Sequence, residues 1–207
     1  MQRETEQSRI ILDILESVDR DGGRSQRSRA SEVGIALGLI NSYLKFCIRK
    51  GYLKARKISA RSYRYMLTPK GFAEKSRLAL SRLSDSLAFV RATRGEFSAA
   101  FAEAERRQWQ GTVIVGGPML AEICALCAWE RGMKIIAIVN SQAQTDHMLG
   151  VPVYRDFAAI AEPVSGAVIA ELQNPAVALE MAEAALGENR VLIPNFLQVI
   201  LPKRDAA

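Results

Sequence analysis

Residues 26–45 read QRSRASEVGIALGLINSYLK. Ala30, Gly34 and Ile40 fall at the spacing of a helix-turn-helix. A small residue stands where two helices cross, a glycine where the turn needs a left-handed backbone, and an aliphatic residue in the core of the second helix. Ser25 is placed to cap a first helix over Gln26–Glu32, and a second, the recognition helix, is expected over Ala36–Lys50. Val33, Ile35 and Tyr43 are expected to fill the remaining buried positions. Arg29 stands where an aliphatic side chain is usual, so looser packing is expected there. Taken alone, the spacing has many chance matches.

The flanking sequence strengthens the reading. Ile10, Ile11, Ile14, Leu15 and Val18 recur at helical spacing within Glu4–Val18, and the run Asp19 to Gly23 ends that helix with turn residues. After Gly51, two alternating stretches, YLKARKIS (52–59) and SYRYML (62–67), flank a turn at Ala60-Arg61 and read as a hairpin. A basic hairpin behind a helix-turn-helix is a wing: the helix presents side chains to base edges in the major groove, and the hairpin lays cations along phosphates. The outward face of the recognition helix should carry Leu37, Gly38, Asn41, Ser42 and Lys45. Asn41 and Ser42 are the candidates for base contacts, Asn because it pairs bidentately with adenine. Gly38 lets the backbone approach DNA. Lys45, Arg56, Lys57, Arg61 and Arg64 are the candidate phosphate contacts, and Gln26 joins the candidate DNA-binding set.

Charge points to the same half. Residues 1–110 hold 22 Lys/Arg against 12 Asp/Glu, and residues 111–207 hold six against ten. Between Glu32 and Glu74 there are nine basic residues and no acidic one. Such a face attracts a polyanion, and double-stranded DNA is the expected partner; an ordinary solvated or membrane-facing surface is the plainer alternative. No apolar run approaches the ~20 residues that cross a bilayer, and the charged start MQRETEQSR lacks the apolar stretch of an export signal. With only three cysteines, no disulfide framework is expected. A cytoplasmic protein without membrane contact is the expectation.

The runs SQRSRASEVGIALGLINSYLKFCIRKGYLKARKI (25–58) and YRYMLTPKGFAEKSRLA (63–79) resemble the winged-helix domain of the EPS-associated MarR-type regulators, found with polysaccharide biosynthesis genes. The shared features are the Gln-Arg opening, Gly-Ile-x-Leu-Gly-x-x-Asn, the Lys-Gly that closes the recognition helix, and Leu-Thr-Pro-Lys-Gly after the hairpin. The resemblance covers roughly residues 5 to 85. Ala36 departs from it, standing where a Ser or Thr cap belongs, which implies a weaker start to the recognition helix.

Thr68-Pro69 is a helix start. Phe72, Ser76, Leu80, Leu83, Leu87, Val90, Arg94, Phe97, Phe101 and Ala104 then follow near-heptad steps, with Gly95 as a candidate kink. The stripe is either the seam of a homodimer or a face packed on its own domain. Dimerisation suits a regulator, because a two-fold protein reads half-sites ~34 Å apart.

From Gly111 onward strands and helices alternate. Strands are expected at Thr112–Val115, Lys134–Val139, Gly166–Glu171 and Arg190–Ile193, and helices at Met119–Arg131, Asp156–Ala161 and Asn174–Leu186. Gly116, Gly117, Pro118, Met119 and Leu120, with Asn140 after the second strand, form the candidate ligand site. Pro118 replaces the central glycine of the dinucleotide fingerprint, and Asn140 replaces its acidic ribose contact, so an ordinary NAD site is disfavoured. A nucleotide-like ligand and a scaffold used only for assembly both stay open, and the cofactor is unknown. The order of winged helix, linker and nucleotide-type fold is similar to the Rex redox-sensing repressors, and the small domain also resembles the start of sugar acyltransferases. Cys124 and Cys127 share a helix face; buried structural thiols are favoured over a redox pair. One histidine, His147, supports neither a metal site nor a catalytic triad.

The expected fold class is an α+β winged helix-turn-helix plus an α/β Rossmann-like domain with a parallel sheet. Its parts are a DNA-binding domain at 1–67, a linker or dimerisation helix at 68–109, and the Rossmann-like domain at 110–207. The expected function is a dimeric, sequence-specific DNA-binding regulator whose C-terminal domain senses a small-molecule effector, and which is not an enzyme. The alternatives are a Rossmann-type nucleotide or nucleotide-sugar enzyme with an accessory nucleic-acid module, and a non-specific DNA binder.

Overall fold

The computed structural model describes residues 2–59 and 62–199, and it divides into two compact units, Met1–Leu87 and Ala88–Ala207. The first is a winged helix-turn-helix and the second an α/β domain with a mostly parallel sheet.

Three helices open the first unit: α1 (Gln2–Arg20), α2 (Gln26–Val33) and α3 (Leu37–Arg49). Ser25 caps α2 by accepting a hydrogen bond from the Ser28 amide, and Gly34 closes it at φ 74°, a left-handed conformation that costs little only without a Cβ. Ala36 opens α3 with no side-chain cap. The hairpin follows as β1 (Leu53–Ser59) and β2 (Ser62–Leu67), antiparallel, with a register shift between Lys57 and Ser59. The Ala60-Arg61 turn lies outside the described residues, and with it the candidate Arg61. Ile10, Ile14, Leu15, Val33, Ile40, Leu44 and Leu53 form the core, while Ile35 and Tyr43 are only half-buried at its edge.

The expectation of loose packing at Arg29 is corrected. Arg29 is fully buried, its Nη1 donating to Ser17 Oγ at 2.7 Å and its Nη2 to the Asp21 carbonyl at 2.9 Å. Ser17 in turn donates to Glu32 Oε2 at 2.6 Å, and the guanidinium lies 5.9 Å from the centre of the Tyr65 ring. A long side chain thus fills the volume an aliphatic one would take and carries hydrogen bonds with it. Burial pulls the Arg29 pKa below its usual value, with Glu32 pulling the other way.

Helix α4 (Pro69–Arg106) is continuous through Gly95, its first half in the first unit and its second half in the other. Thr68 starts it, its Oγ accepting from the Gly71 amide at 2.9 Å. The expected stripe divides. Phe97, Phe101 and Ala104 are fully buried in the α/β core, whereas Phe72, Leu80, Leu83, Leu87 and Val90 are exposed. In the first unit it is Leu78, off that stripe, that enters the core.

The second unit alternates β3 (Thr112–Val115), α5 (Pro118–Glu130), β4 (Ile135–Val139), β5 (His147–Met148), β6 (Val151–Tyr154), β7 (Gly166–Ile169), α6 (Pro175–Leu186), β8 (Val191–Leu192) and α7 (Asn195–Gln198). The sheet order is β5-β6-β4-β3-β7-β8, all parallel except the β5–β6 pair. The helix expected over Asp156–Ala161 is a single 3-10 turn, Phe157–Ala159, capped by Asp156. Eleven residues join β6 to β7, one of them Pro163, too few for a full crossover helix. The short antiparallel β5 was not legible in the pattern, because two residues carry no periodicity. β3, β4 and β7 are buried throughout, as a sheet covered on both faces requires.

Candidate functional site

Two surfaces carry the chemistry, one in each unit. In the winged unit Leu37, Gly38, Ser42 and Lys45 of α3 are exposed and Asn41 is half-buried. The Ser42 hydroxyl donates back to the Gly38 carbonyl at 3.1 Å, leaving its lone pairs free to accept from a base. Leu39, missed in the sequence, is exposed beside Ser42, and helical spacing of three from Ser42 was the signal that would have found it. Gln26, the first residue of α2, donates its side-chain amide to the Tyr65 hydroxyl at 2.6 Å, a bond that any DNA contact has to share or break.

In the hairpin, Arg56 stands directly opposite Arg64, and Lys57 opposite Tyr63. Two like charges facing across a strand pair destabilise the hairpin unless an anion lies over them. The wider charge pattern follows the same division. Arg9, Arg20, Arg24, Lys75, Arg77 and Arg82 are all in salt bridges with carboxylates. Among the described residues, Lys45, Lys54, Arg56, Lys57 and Arg64 form none, and no acidic residue occurs near them in sequence between Glu32 and Glu74. Arg49 and Lys50 are held over the Phe46 ring, 5.9 and 5.6 Å from its centre.

In the α/β unit a cleft of about 620 Å³ opens at the C-terminal ends of β3, β4 and β7, where the strand order reverses. Gly116, Gly117, Pro118, Met119, Leu120 and Asn140 all line it. Gly116 is there because β3 and β7 run so close that a Cβ would sit 2.0 Å from the Ala170 carbonyl oxygen. Gly117 caps α5 without a side-chain bond, and Pro118 occupies the first helical position. Asn140 folds its own loop, its Oδ1 accepting from the Gln142 amide at 2.9 Å. Sequence reasoning missed Glu171 and Asn174, which follow β7 into the same cleft; their place after a parallel strand was the signal.

Burial pushes the Cys47 thiol up to about 12 and raises both Cys124 and Cys127, and all three cysteines are free and buried. Neutral thiols of this kind are poor nucleophiles. Among the described residues no three His, Cys, Asp or Glu stand together as metal ligands, and no single helix is long and apolar enough to cross a membrane.

Residues 7–54 match the family model described as winged helix-turn-helix DNA-binding. The N-terminal region is therefore a winged helix-turn-helix DNA-binding domain. A search of the curated proteins finds no match. Among solved structures, the chain matches human N-acetylserotonin methyltransferase in complex with SAM, at 12% identity and a TM-score of 0.34, over 96% of this chain and 82% of that one. It also matches PigF with SAH, at 16% identity and a TM-score of 0.28, over 97% of this chain and 60% of that one. The chain thus spans less than two thirds of the PigF chain. With a methyltransferase among these neighbours, the expectation that the chain is not an enzyme is withdrawn. Neither likeness is close enough to carry an activity over to it.

Proposed function

We propose that the chain is a dimeric, sequence-specific transcription regulator acting in the cytoplasm, with residues 1–67 binding DNA, 68–109 forming the dimer helix and 110–207 binding a small-molecule effector. The observation that carries the reading is a group of cations without ion-pair partners: six cations of α1, α4 and the turn after α1 are paired with carboxylates, whereas Lys45, Lys54, Arg56, Lys57 and Arg64 form no salt bridge among the described residues. A surface of free cations around a helix that presents Asn41 and Ser42 is built for phosphates outside and base edges inside. The exposed stripe Phe72, Leu80, Leu83, Leu87 and Val90 supplies the dimer seam. The resemblance of residues 5–85 to EPS-associated MarR-type regulators favours control of polysaccharide genes, and the cleft beside Gly116–Leu120 the seat of the effector. An effector acts if it binds more tightly to one placement of the two winged helices.

Selection from a random duplex library at about 150 mM salt, where non-specific phosphate binding is weakened, tests the reading. Enrichment of a palindrome is expected. On that site Asn41→Ala should cost about 1–3 kcal/mol at one base position. Absence of any enriched sequence sinks sequence-specific readout, and an equal loss on all sequences in the variant removes Asn41 from direct base readout. A second reading is favoured by the cleft at the switch point: the α/β unit turns over its ligand. Product formation from a ligand found to bind there decides between the two.

A further inference from the structure

The cleft in the α/β unit lies where two helices begin, α5 after Gly117 and α6 after Asn174, and neither has a side-chain cap. Two such helix starts would ordinarily welcome a phosphate. Here the chain supplies its own anion. Glu171, the second residue after β7, turns one carboxylate oxygen back so that Oε1 accepts from the Gln173 amide at 2.7 Å and the Asn174 amide at 3.3 Å. Its other oxygen faces the glycine loop, so close that a Cβ on Gly117 would stand 3.2 Å from Oε2. Pro118 removes one amide donor from the same loop. Among the described residues that line the cleft there is no lysine, arginine or histidine. The rim is neutral amide, as in Asn140, Gln142 and Gln144, and the wall is apolar, with Met119, Met148 and Met181.

Resting on the reading of this cleft as the effector site, we propose that it selects a phosphate-free, neutral or cationic molecule of nucleoside size, whose hydroxyl or amino donors meet Glu171 Oε2. A phosphate placed at the glycine loop would meet a carboxylate with no compensating cation. A hydroxyl or ammonium there finds a free acceptor. A cleft of about 620 Å³ suits a ligand of that size. The charge at Glu171 is then the element that separates a ligand from its phosphorylated counterpart.

The test uses the full chain and compounds in pairs that differ by one phosphate: adenosine and AMP, uridine and UMP, glucosamine and glucosamine 6-phosphate. Saturation-transfer NMR finds the binders and calorimetry ranks them. In at least one pair the unphosphorylated member should bind about tenfold or more tightly than its partner. Glu171→Gln keeps an acceptor for the two backbone amides and should narrow that gap to about threefold. Gln173→Lys, which leaves Glu171 in place and adds a cation at the rim, should narrow it too; circular dichroism checks that both variants fold. Tighter binding of a phosphorylated member to the unaltered chain, or a gap unchanged in both variants, overturns the inference. Binding by neither member of any pair instead removes the cleft reading on which it rests, while the DNA selection stands or falls separately.

Discussion

Among the described residues, Lys45, Lys54, Arg56, Lys57 and Arg64 of the winged unit have no salt bridge, whereas the cleft of the α/β unit is lined by no cation and carries Glu171. The cores reverse this pattern. The winged unit buries a whole guanidinium at Arg29, while the core of the α/β unit is built from Val, Ile, Leu, Ala, Phe, Met and Cys, with Thr112 a buried polar residue beside it and Thr93 another on α4. The contrast teaches that the net charge of a region says little until each charge is placed. Arg29 counts among the same 22 basic residues as Arg56, yet one holds helices together and the other faces outward. What marks a nucleic-acid surface is cations left without partners.

The largest effect expected from breaking this contrast is in the apolar core. Phe101 is fully buried, and Phe97 beside it meets Phe196 edge-on at 5.9 Å between ring centres. Phe101→Ala should destabilise the α/β unit by about 3–5 kcal/mol. Both tryptophans, Trp109 and Trp129, lie in that unit, so urea unfolding followed by their fluorescence reads it directly. A loss below about 1 kcal/mol would mean that this half of α4 is not an integral part of the core.

Arg29 sharpens the comparison from the other side. Arg29→Ala removes two hydrogen bonds, from Nη1 and Nη2, and leaves a cavity beside Ser17 and Tyr65, and it should cost about 2–4 kcal/mol. Arg29→Met fills most of that volume without the charge and should cost far less, because burying the ion was itself expensive. Circular dichroism melts of the two variants separate packing from hydrogen bonding; equal losses would point to the hydrogen bonds alone.

The thiols give the next effect. Cys47 is held near 12 by burial, while an unfolded thiol ionises near 9.0. The fold keeps the proton that the unfolded chain gives up. The contribution is therefore fully present below pH 9.0 and is lost as pH rises toward 12, at up to about 1.4 kcal/mol per pH unit. Denaturation at a series of alkaline pH values should show this slope, and Cys47→Ala should flatten it. A slope unchanged by the substitution would assign the alkaline loss to other groups.

Elements with strong local signals were legible in the sequence. Ser25 and Thr68 announce their helices by capping chemistry, Gly34 its turn by the need for a left-handed residue, and the buried strands by unbroken apolar runs. Features set by tertiary neighbours were not. Nothing local says that Arg29 finds Ser17 and the Asp21 carbonyl, 12 and eight residues away. The near-heptad stripe on α4 reads as one face, yet Phe97 and Phe101 are claimed by the sheet and Leu80 and Leu83 are not. The glycine loop was visible as a candidate, but its ligand chemistry depends on Glu171, which lies more than 50 residues along the chain and reads there as an ordinary acidic residue.

The smallest predicted effect carries the most information about the outer surface, because its two consequences run in opposite directions. Arg56 and Arg64 face each other across the hairpin with no carboxylate between them among the described residues. If that repulsion is tolerated only for the sake of phosphate contacts, Arg56→Ala should stabilise the free protein by a few tenths of a kcal/mol. The same substitution should weaken DNA binding on every sequence alike and lower the slope of log K against log salt by about one. Melting curves read the first and binding isotherms at four salt concentrations the second. A variant that is less stable and binds DNA with an unchanged salt slope would make Arg56 a structural residue of the hairpin, and the phosphate contacts would have to come from the other cations of α3 and the hairpin.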